Sequence, residues 1–372
     1  MRKFTLLFIV AAFASIALAQ VTTVPGIIQK GYGGEVTIIF NPNEGNKGMV
    51  GATQCYAHTG LITSASSNDS DWKNEVESWR ENTSKTQLTK DGNNWKLVIP
   101  NIYTFYNCSK STDIKKLAFV FHDGKGGSKE GKTAENTDIF VELAEVGLAA
   151  SISTSMPEIS SIGQSVTLNC YATATATLTL KLNGSVVKTA NGTEMTYAHK
   201  LDKQGNYNFE LTATNGTETK TATAFTCVPT APIKANRPTG IVNGIYYDKN
   251  DQTKVTLCTF AGSKTEPAKH VFVVGDFNDW TISNDYQLKQ ASDSAYFWIE
   301  LSGLTPQKEY AMQYVVVRAD GQVKRISDLY SELVLHKDDS WEPSQNYPNL
   351  KPYPAAGEGY VTVIQTGKPE FN

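Results

Sequence analysis

Apolar and polar residues alternate with period two through the middle of the chain. Val166, Leu168, Cys170 and Ala172 alternate with polar neighbours, as do Leu178, Leu180 and Leu182 before Asn183-Gly184. Tyr207, Phe209, Leu211 and Ala213 repeat the pattern, and Asn215-Gly216 closes it. Period two puts such residues on one face of a strand, and Asn-Gly suits a tight hairpin turn. Upstream, the runs 35–40, 94–99, 116–121 and 138–143 carry β-branched or aromatic residues with turn residues at their flanks. Downstream, the runs 255–260, 270–274, 296–301, 310–317 and 322–326 do the same. One segment breaks the pattern. Trp72, Val76 and Trp79 recur at i, i+4 and i+7, which predicts a short amphipathic helix over 71–81.

The strands group into three blocks separated by Pro-, Gly- and Ala-rich joints. The expected fold class is all-β, with three consecutive β-sandwich domains at 20–145, 146–229 and 239–344. Residues 230–238 read as a linker. Residues 345–372 read as a Pro-rich linker toward a further domain, with one strand-like piece over 360–365.

Composition narrows the partners. The 372 residues carry a net charge of −3, with 19% charged and 40% hydrophobic, so the chain has enough core formers to fold. It lacks the basic field of a nucleic-acid binder or a polybasic membrane-surface protein. Arg2 and Lys3 precede an apolar run from Phe4 to Leu18, and Ala17-Leu18-Ala19 has the small residues of a signal-peptidase site. Residues 1–19 therefore read as a signal peptide, with Gln20 starting a secreted, periplasmic or cell-surface chain. The residue after the site is not Cys, so no lipid anchor is expected. No later stretch is apolar enough to span a membrane.

Five cysteines remain: Cys55, Cys108, Cys170, Cys227 and Cys258. Export permits disulfides, with Cys55–Cys108 and Cys170–Cys227 as the within-block candidates and buried free thiols as the alternative. There is no C-x-x-C pair, no H-E-x-x-H, no G-x-S-x-G and no Walker loop. The five histidines are isolated in sequence, and His122-Asp123 reads as a loop before a Gly-rich turn. No carboxylate pair stands out for glycoside hydrolysis. The expectation is a non-catalytic chain with no cofactor and no metal.

The 6 Trp, 17 Tyr and 15 Phe suggest another chemistry. Flat rings stack on the C–H faces of sugars, and polar side chains bond the hydroxyl edges. Tyr56 and His58 lie two apart, hence on one face of a strand, and Trp72 follows. These three are the candidate sugar platform. Trp79 and Trp95 read as core or loop cover.

Two resemblances sharpen this. Block one, from Val36-Thr37-Ile38 through Cys55-Tyr56-Ala57-His58 to Phe119-Val120-Phe121-His122-Asp123-Gly124-Lys125-Gly126, resembles the starch-binding β-sandwich modules of bacterial amylases. An insertion, 68–84, stands between its motifs. The resemblance implies α-glucan polysaccharide stacked on an aromatic pair. In block two, Asp202-Lys203-Gln204-Gly205-Asn206-Tyr207 resembles the approach to the F strand of immunoglobulin-like domains, with one residue inserted. Phe209 stands where that family has its F-strand cysteine.

In block three, Val271-Phe272-Val273-Val274-Gly275-Asp276-Phe277-Asn278-Asp279-Trp280 resembles the V-x-G-D-F-N-x-W signature of the early-set domain of glycogen branching enzymes and related amylases of glycoside hydrolase family 13. Phe297–Leu301, Gly303-Leu304, Tyr310–Val317 and Ile326–Ser331 follow in the family's order, without the Pro of its Asp-Pro-Tyr-Ala-like segment. The resemblance implies that Gly275, Asp276, Phe277, Asn278 and Trp280 form a structural turn. It makes Trp298 a further glycan-stacking candidate. It also implies a (β/α)8 barrel as partner in cis, of which this chain holds no motif. The expected function is thus the exported α-glucan-binding accessory region of an α-amylase-like enzyme. A stand-alone surface glycan-binding or adhesin-like protein is the alternative.

Overall fold

The computed structural model describes residues 20–292, 295–341 and 346–368, so the signal-peptide expectation for 1–19 lies outside the described residues. The chain is all-β, and three main apolar cores follow one another along it.

The first core lies between two sheets. One runs in the order Val21–Val24, Val36–Phe40, Asn94–Ile99, Thr89–Asp91. The other runs Ile28–Gln29, Ile139–Ala144, Ile114–His122, Tyr56–Thr63. Alternation decides which side chains meet: Ile38 and Phe40 from one sheet face Ala57, Leu61, Phe119 and Phe121 from the other. Phe40 stacks on Phe121 at 4.0 Å between ring centroids. Each of the Ile, Leu and Phe side chains contributes about 1.5–3 kcal/mol by burial. Thr59, also pointing inward, donates to the Ala118 carbonyl at 2.7 Å and shares a 2.7 Å hydrogen bond with the Tyr106 hydroxyl. Inward residues on Tyr56–Thr63 and Ile114–His122 leave Tyr56, His58, Gly60 and His122 on the outer face.

The helix expected over 71–81 does not form. Leu61 and Lys73 exchange backbone hydrogen bonds at 2.7 and 2.8 Å, and Val76 N–H donates to the Thr59 carbonyl at 3.0 Å. The segment spends these backbone groups on the edge of Tyr56–Thr63 rather than on itself. Asn74 (φ 52°) and Arg80 (φ 61°) are left-handed, which a right-handed helix does not admit.

The second core forms inside one sheet folded on itself. Ser165–Leu182 pairs with Ala150–Thr154 through its first half and with Gly205–Thr214 through its second, with an irregularity between Tyr171 and Ala176. Leu168 and Cys170 from the first half thereby pack with Leu178, Leu180, Phe209 and Leu211. The Tyr207 hydroxyl accepts from Lys203 N–H at 2.9 Å and donates to the Lys203 carbonyl at 3.0 Å. This is the tyrosine corner of an immunoglobulin-like sandwich.

All five cysteines are free, which corrects the disulfide candidates. On Thr219–Val228, Ala224 and Val228 face the second core, so Cys227 faces the other way, toward Phe272, Ile282 and Val315. Cys170 lies in the second core, on the far side of that strand. Cys55 precedes Tyr56, at one end of a strand whose other end, Thr63, registers with Ile114, and Cys108 lies in the loop leading into Ile114. The members of each candidate pair are thus held apart. Burial pushes the Cys227 thiol up to about 12 and Cys170 up to about 11, the latter eased by Lys188. Both remain protonated core residues.

The third core lies between the sheet Gly244–Tyr247, Val255–Phe260, Tyr296–Leu301, Lys289–Gln290 and the sheet His270–Gly275, Glu309–Val317, Val361–Gln365, Leu333–Leu335. Two expectations change. Residues 345–372 are not simply a linker, because Val361–Gln365 is a strand pairing with Glu309–Val317 and filling this core through Ile364. Residues 230–238 are not free chain either. Gln290 N–H donates to the Ile233 carbonyl and Ala235 N–H to the Gln290 carbonyl, at 2.8 and 3.0 Å.

The segment Gly275–Trp280 turns the chain. A Cβ at Gly275 would lie 2.4 Å from the Ala311 carbonyl oxygen, so only glycine fits. Asn278 Oδ1 accepts from Gly275 N–H at 2.9 Å, and its amide donates to the Val273 and Thr281 carbonyls. Asp276 accepts from Ala311 N–H at 2.9 Å and Trp280 Nε1–H at 3.0 Å, and pairs with Lys351 at 3.0 Å. Burial raises the Asp276 pKa, but these three partners outweigh it and hold the carboxyl below its ordinary value.

Candidate functional site

The outer face of the first sandwich gathers the expected platform residues. Cross-strand register sets Tyr56 opposite His122 and His58 opposite Val120, so His58 and His122 are diagonal neighbours. Tyr56 stacks on His122 at 5.8 Å. Trp72 stacks on His58 at 5.4 Å, with an interplanar angle of 21°. Room for that indole comes from Gly60, where a Cβ would meet Trp72 Cε3 at 3.3 Å. The Trp72 Nε1–H donates to the Asp69 carbonyl at 3.1 Å.

Tyr56, His58 and Trp72 therefore meet, though Tyr56 lies beneath the surface at 7% exposure. The ring that faces solvent is Trp79, at 44% exposure. It stands edge-on to His58 at 5.1 Å and tilted on His122 at 5.3 Å. Trp79 read as core or cover from sequence, and His122 as a loop residue. The structure instead puts both in the cluster. The usable signal was parity: Phe119 and Phe121 point inward, so His122 points outward beside Tyr56.

Arg80 fixes the frame. Its guanidinium donates to Asp123 at 3.1 Å, to the carbonyls of Gly124 and Gly127 at 3.2 and 2.7 Å, and to Glu130 at 3.3 Å. Asn82 Oδ1 accepts from Lys125 N–H at 2.7 Å. The segment carrying Trp79 is thus tied to the Gly-rich turn after His122. Arg80 also lies 5.3 Å from the centroid of the Trp79 ring. Burial raises Asp123, but the Arg80 guanidinium and the Lys129 N–H more than offset it, so the carboxylate stays charged.

His122 is fully buried, and burial, then Arg80, then His58 pull its pKa down to about 4. The folded pKa is depressed, so this contribution to stability is present above about pH 6.5 and is lost as pH falls through 4. The loss amounts to about 3 kcal/mol. His122→Phe removes it. Urea denaturation at pH 7 and pH 4.5 is expected to show a smaller drop for the variant than for wild type, and equal drops would contradict the assignment.

Trp298 does not belong to a platform, which corrects that candidate. It is buried at 8% exposure, its Nε1–H donates to the Ala235 carbonyl at 3.1 Å, and Lys289 Nζ lies 4.5 Å from its ring centroid. The joint 230–238, laid along the third sandwich, covers it. Among the described residues no group of three or more His, Cys, Asp or Glu is placed to hold a metal ion, and no helix is long and apolar enough to cross a membrane.

Fold and site define an all-β chain of sandwich domains, one of them immunoglobulin-like, with an aromatic and imidazole cluster on one outer sheet face. No family model matches the chain, and no curated protein matches it. Among solved structures, a chimeric titin Z1Z2-Z1Z2 tandem functionalised with a GRGDS exogenous peptide from fibronectin is similar at 13% identity. That match covers 53% of this chain and 91% of the titin chain, with a TM-score of 0.18. So low a score says nothing about function. The only α-helix among the described residues is Ile102–Phe105, so they contain no (β/α)8 catalytic barrel.

Proposed function

We propose that the first sandwich is an α-glucan-binding module, and that the chain is the exported, non-catalytic accessory region of an α-amylase-like protein. The observation that carries the reading is the half-buried Trp72 and exposed Trp79 meeting over His58 on one outer sheet face. Two indoles offer apolar area to sugar rings, and Glu75, Lys73 and Asn74 beside them offer hydroxyl partners. The likeness of block one to starch-binding modules names the sugar class. The ordered motifs of block three support a place beside a family 13 barrel.

Affinity electrophoresis in amylopectin tests it. Wild type is expected to be retarded, and Trp72→Ala/Trp79→Ala to lose at least about tenfold in affinity. Wild type and the double variant migrating alike would remove the reading.

A further inference from the structure

Two ring nitrogens beneath Trp79 are buried and have no hydrogen-bond partner: His58 Nδ1 and His122 Nε2. An unpaired buried polar atom is costly, so a native protein seldom keeps two beneath one ring without a use. Their partners elsewhere fix their chemistry. Gly124 N–H donates to His122 Nδ1 at 3.1 Å, so that nitrogen holds the lone pair. The neutral ring then carries its proton on Nε2. His58 Nε2 faces the Glu75 carboxylate at 3.1 Å and carries its proton there, so a neutral His58 leaves Nδ1 as an acceptor. One unpaired nitrogen is thus a donor and the other an acceptor.

That pairing discriminates among ligands. A metal ion needs lone pairs, and His122 Nε2 offers a proton instead. A carboxylate or phosphate would meet the lone pair of His58. A hydroxyl suits both, since its oxygen accepts from one nitrogen while its proton goes to the other.

The cover over this pair is the Trp79 indole, in contact with both imidazoles. Among the described residues no hydrogen bond holds its Nε1–H, and the ring is 44% exposed. Its neighbour Arg80, by contrast, is pinned by five acceptors, which fix the chain behind the indole.

We infer that Trp79 is a movable cover, and that beneath it His122 Nε2–H and His58 Nδ1 together take one hydroxyl of the bound sugar. This rests on the glycan reading above and adds to it the atoms that discriminate hydroxyl from other groups.

The test uses the full chain, maltoheptaose and His122→Phe. Phenylalanine keeps a ring between Tyr56 and Trp79 but removes the donor. Its thermal unfolding at pH 7 is expected to stay close to wild type, since removing the unpaired Nε2–H is set against leaving the Gly124 N–H without its acceptor. Calorimetric affinity is expected to fall about tenfold, the worth of one hydrogen bond. In wild type, nitrogen-15 spectra of the imidazoles are expected to show the Nε2–H form of His122 and shifts at His122 Nε2 and His58 Nδ1 on adding maltoheptaose. Wild-type binding with unshifted imidazole nitrogens and an unchanged His122→Phe affinity would overturn the hydroxyl pair and leave the glycan reading standing. An Nδ1–H form of His122 would overturn it without any sugar present. Absence of wild-type binding would overturn both.

Discussion

Trp280→Ala is expected to destabilise the third sandwich by about 3 kcal/mol, at the low end for losing a large aromatic because the indole is only half-buried. The indole joins two satellite cores, one with Phe272, Val274 and Ile282, the other with Ala311, Leu335 and Val361. Removing it opens a gap between the sheet and the segment that returns as Val361–Gln365. The Asp276 carboxylate also loses the Trp280 N–H and keeps only Ala311 N–H and Lys351. Trp280 sits at φ 57°, a strain the indole's contacts must offset and an alanine would retain without them. Trp280→Phe keeps most of the ring area but not the N–H, so about half the loss is expected. Urea denaturation measures both. A loss under about 1 kcal/mol for Trp280→Ala would mean that the indole is surface rather than seam.

Arg325→Ala is expected to loosen the second sandwich from the third. Arg325 is buried, with its side chain 7% exposed. Nη2 donates to both Glu158 oxygens at 2.9 Å, and Nε lies 3.0 Å from Glu358. Glu158 comes from the immunoglobulin-like unit and the other two from the third sandwich, so one guanidinium ties them across the junction. Burial pushes the Glu358 pKa up, Arg325 pulls it down and Glu158 pushes it up again. Without the arginine, two carboxylates face each other with no cation between them. The glutamates are more than a third exposed, so solvent screens part of the effect, and the cost is about 2 kcal/mol. Apolar contacts of Ile159, Phe225 and Cys227 with Phe272 and Val315 remain at the junction. Calorimetry of wild type is expected to show the two units unfolding together, and of Arg325→Ala to show their transitions separating. A single unshifted transition in the variant would assign the coupling to the apolar contacts alone.

Local alternation made the sandwiches legible. Val255–Phe260 and Tyr296–Leu301 are strands with the bounds their β-branched and aromatic residues suggest. The errors came where a long-range partner decided the outcome. Trp72, Val76 and Trp79 have helical spacing, yet the segment is held by pairing with the edge of Tyr56–Thr63. The two indoles share a target in His58, not a helix face. Trp298 lost its candidacy to the chain segment that covers it, and no local pattern announces a cover. Cys170 and Cys227 were separated by strand parity, which assigns Cys227 to the junction and Cys170 to the domain core, and Cys55 and Cys108 by the length of Tyr56–Thr63. Tyr56, His58 and Trp72 were legible as neighbours. His122 and Trp79 were not, because one depends on cross-strand register and the other on a loop folded back over the sheet.

The most direct measurement is calorimetric titration of maltoheptaose into the full chain and into Trp72→Ala/Trp79→Ala. For an α-glucan-binding first sandwich, saturable binding to wild type is expected, with at least about a tenfold weaker affinity for the double variant and its fold intact. No heat of binding to wild type, or equal affinity for both proteins, would contradict it.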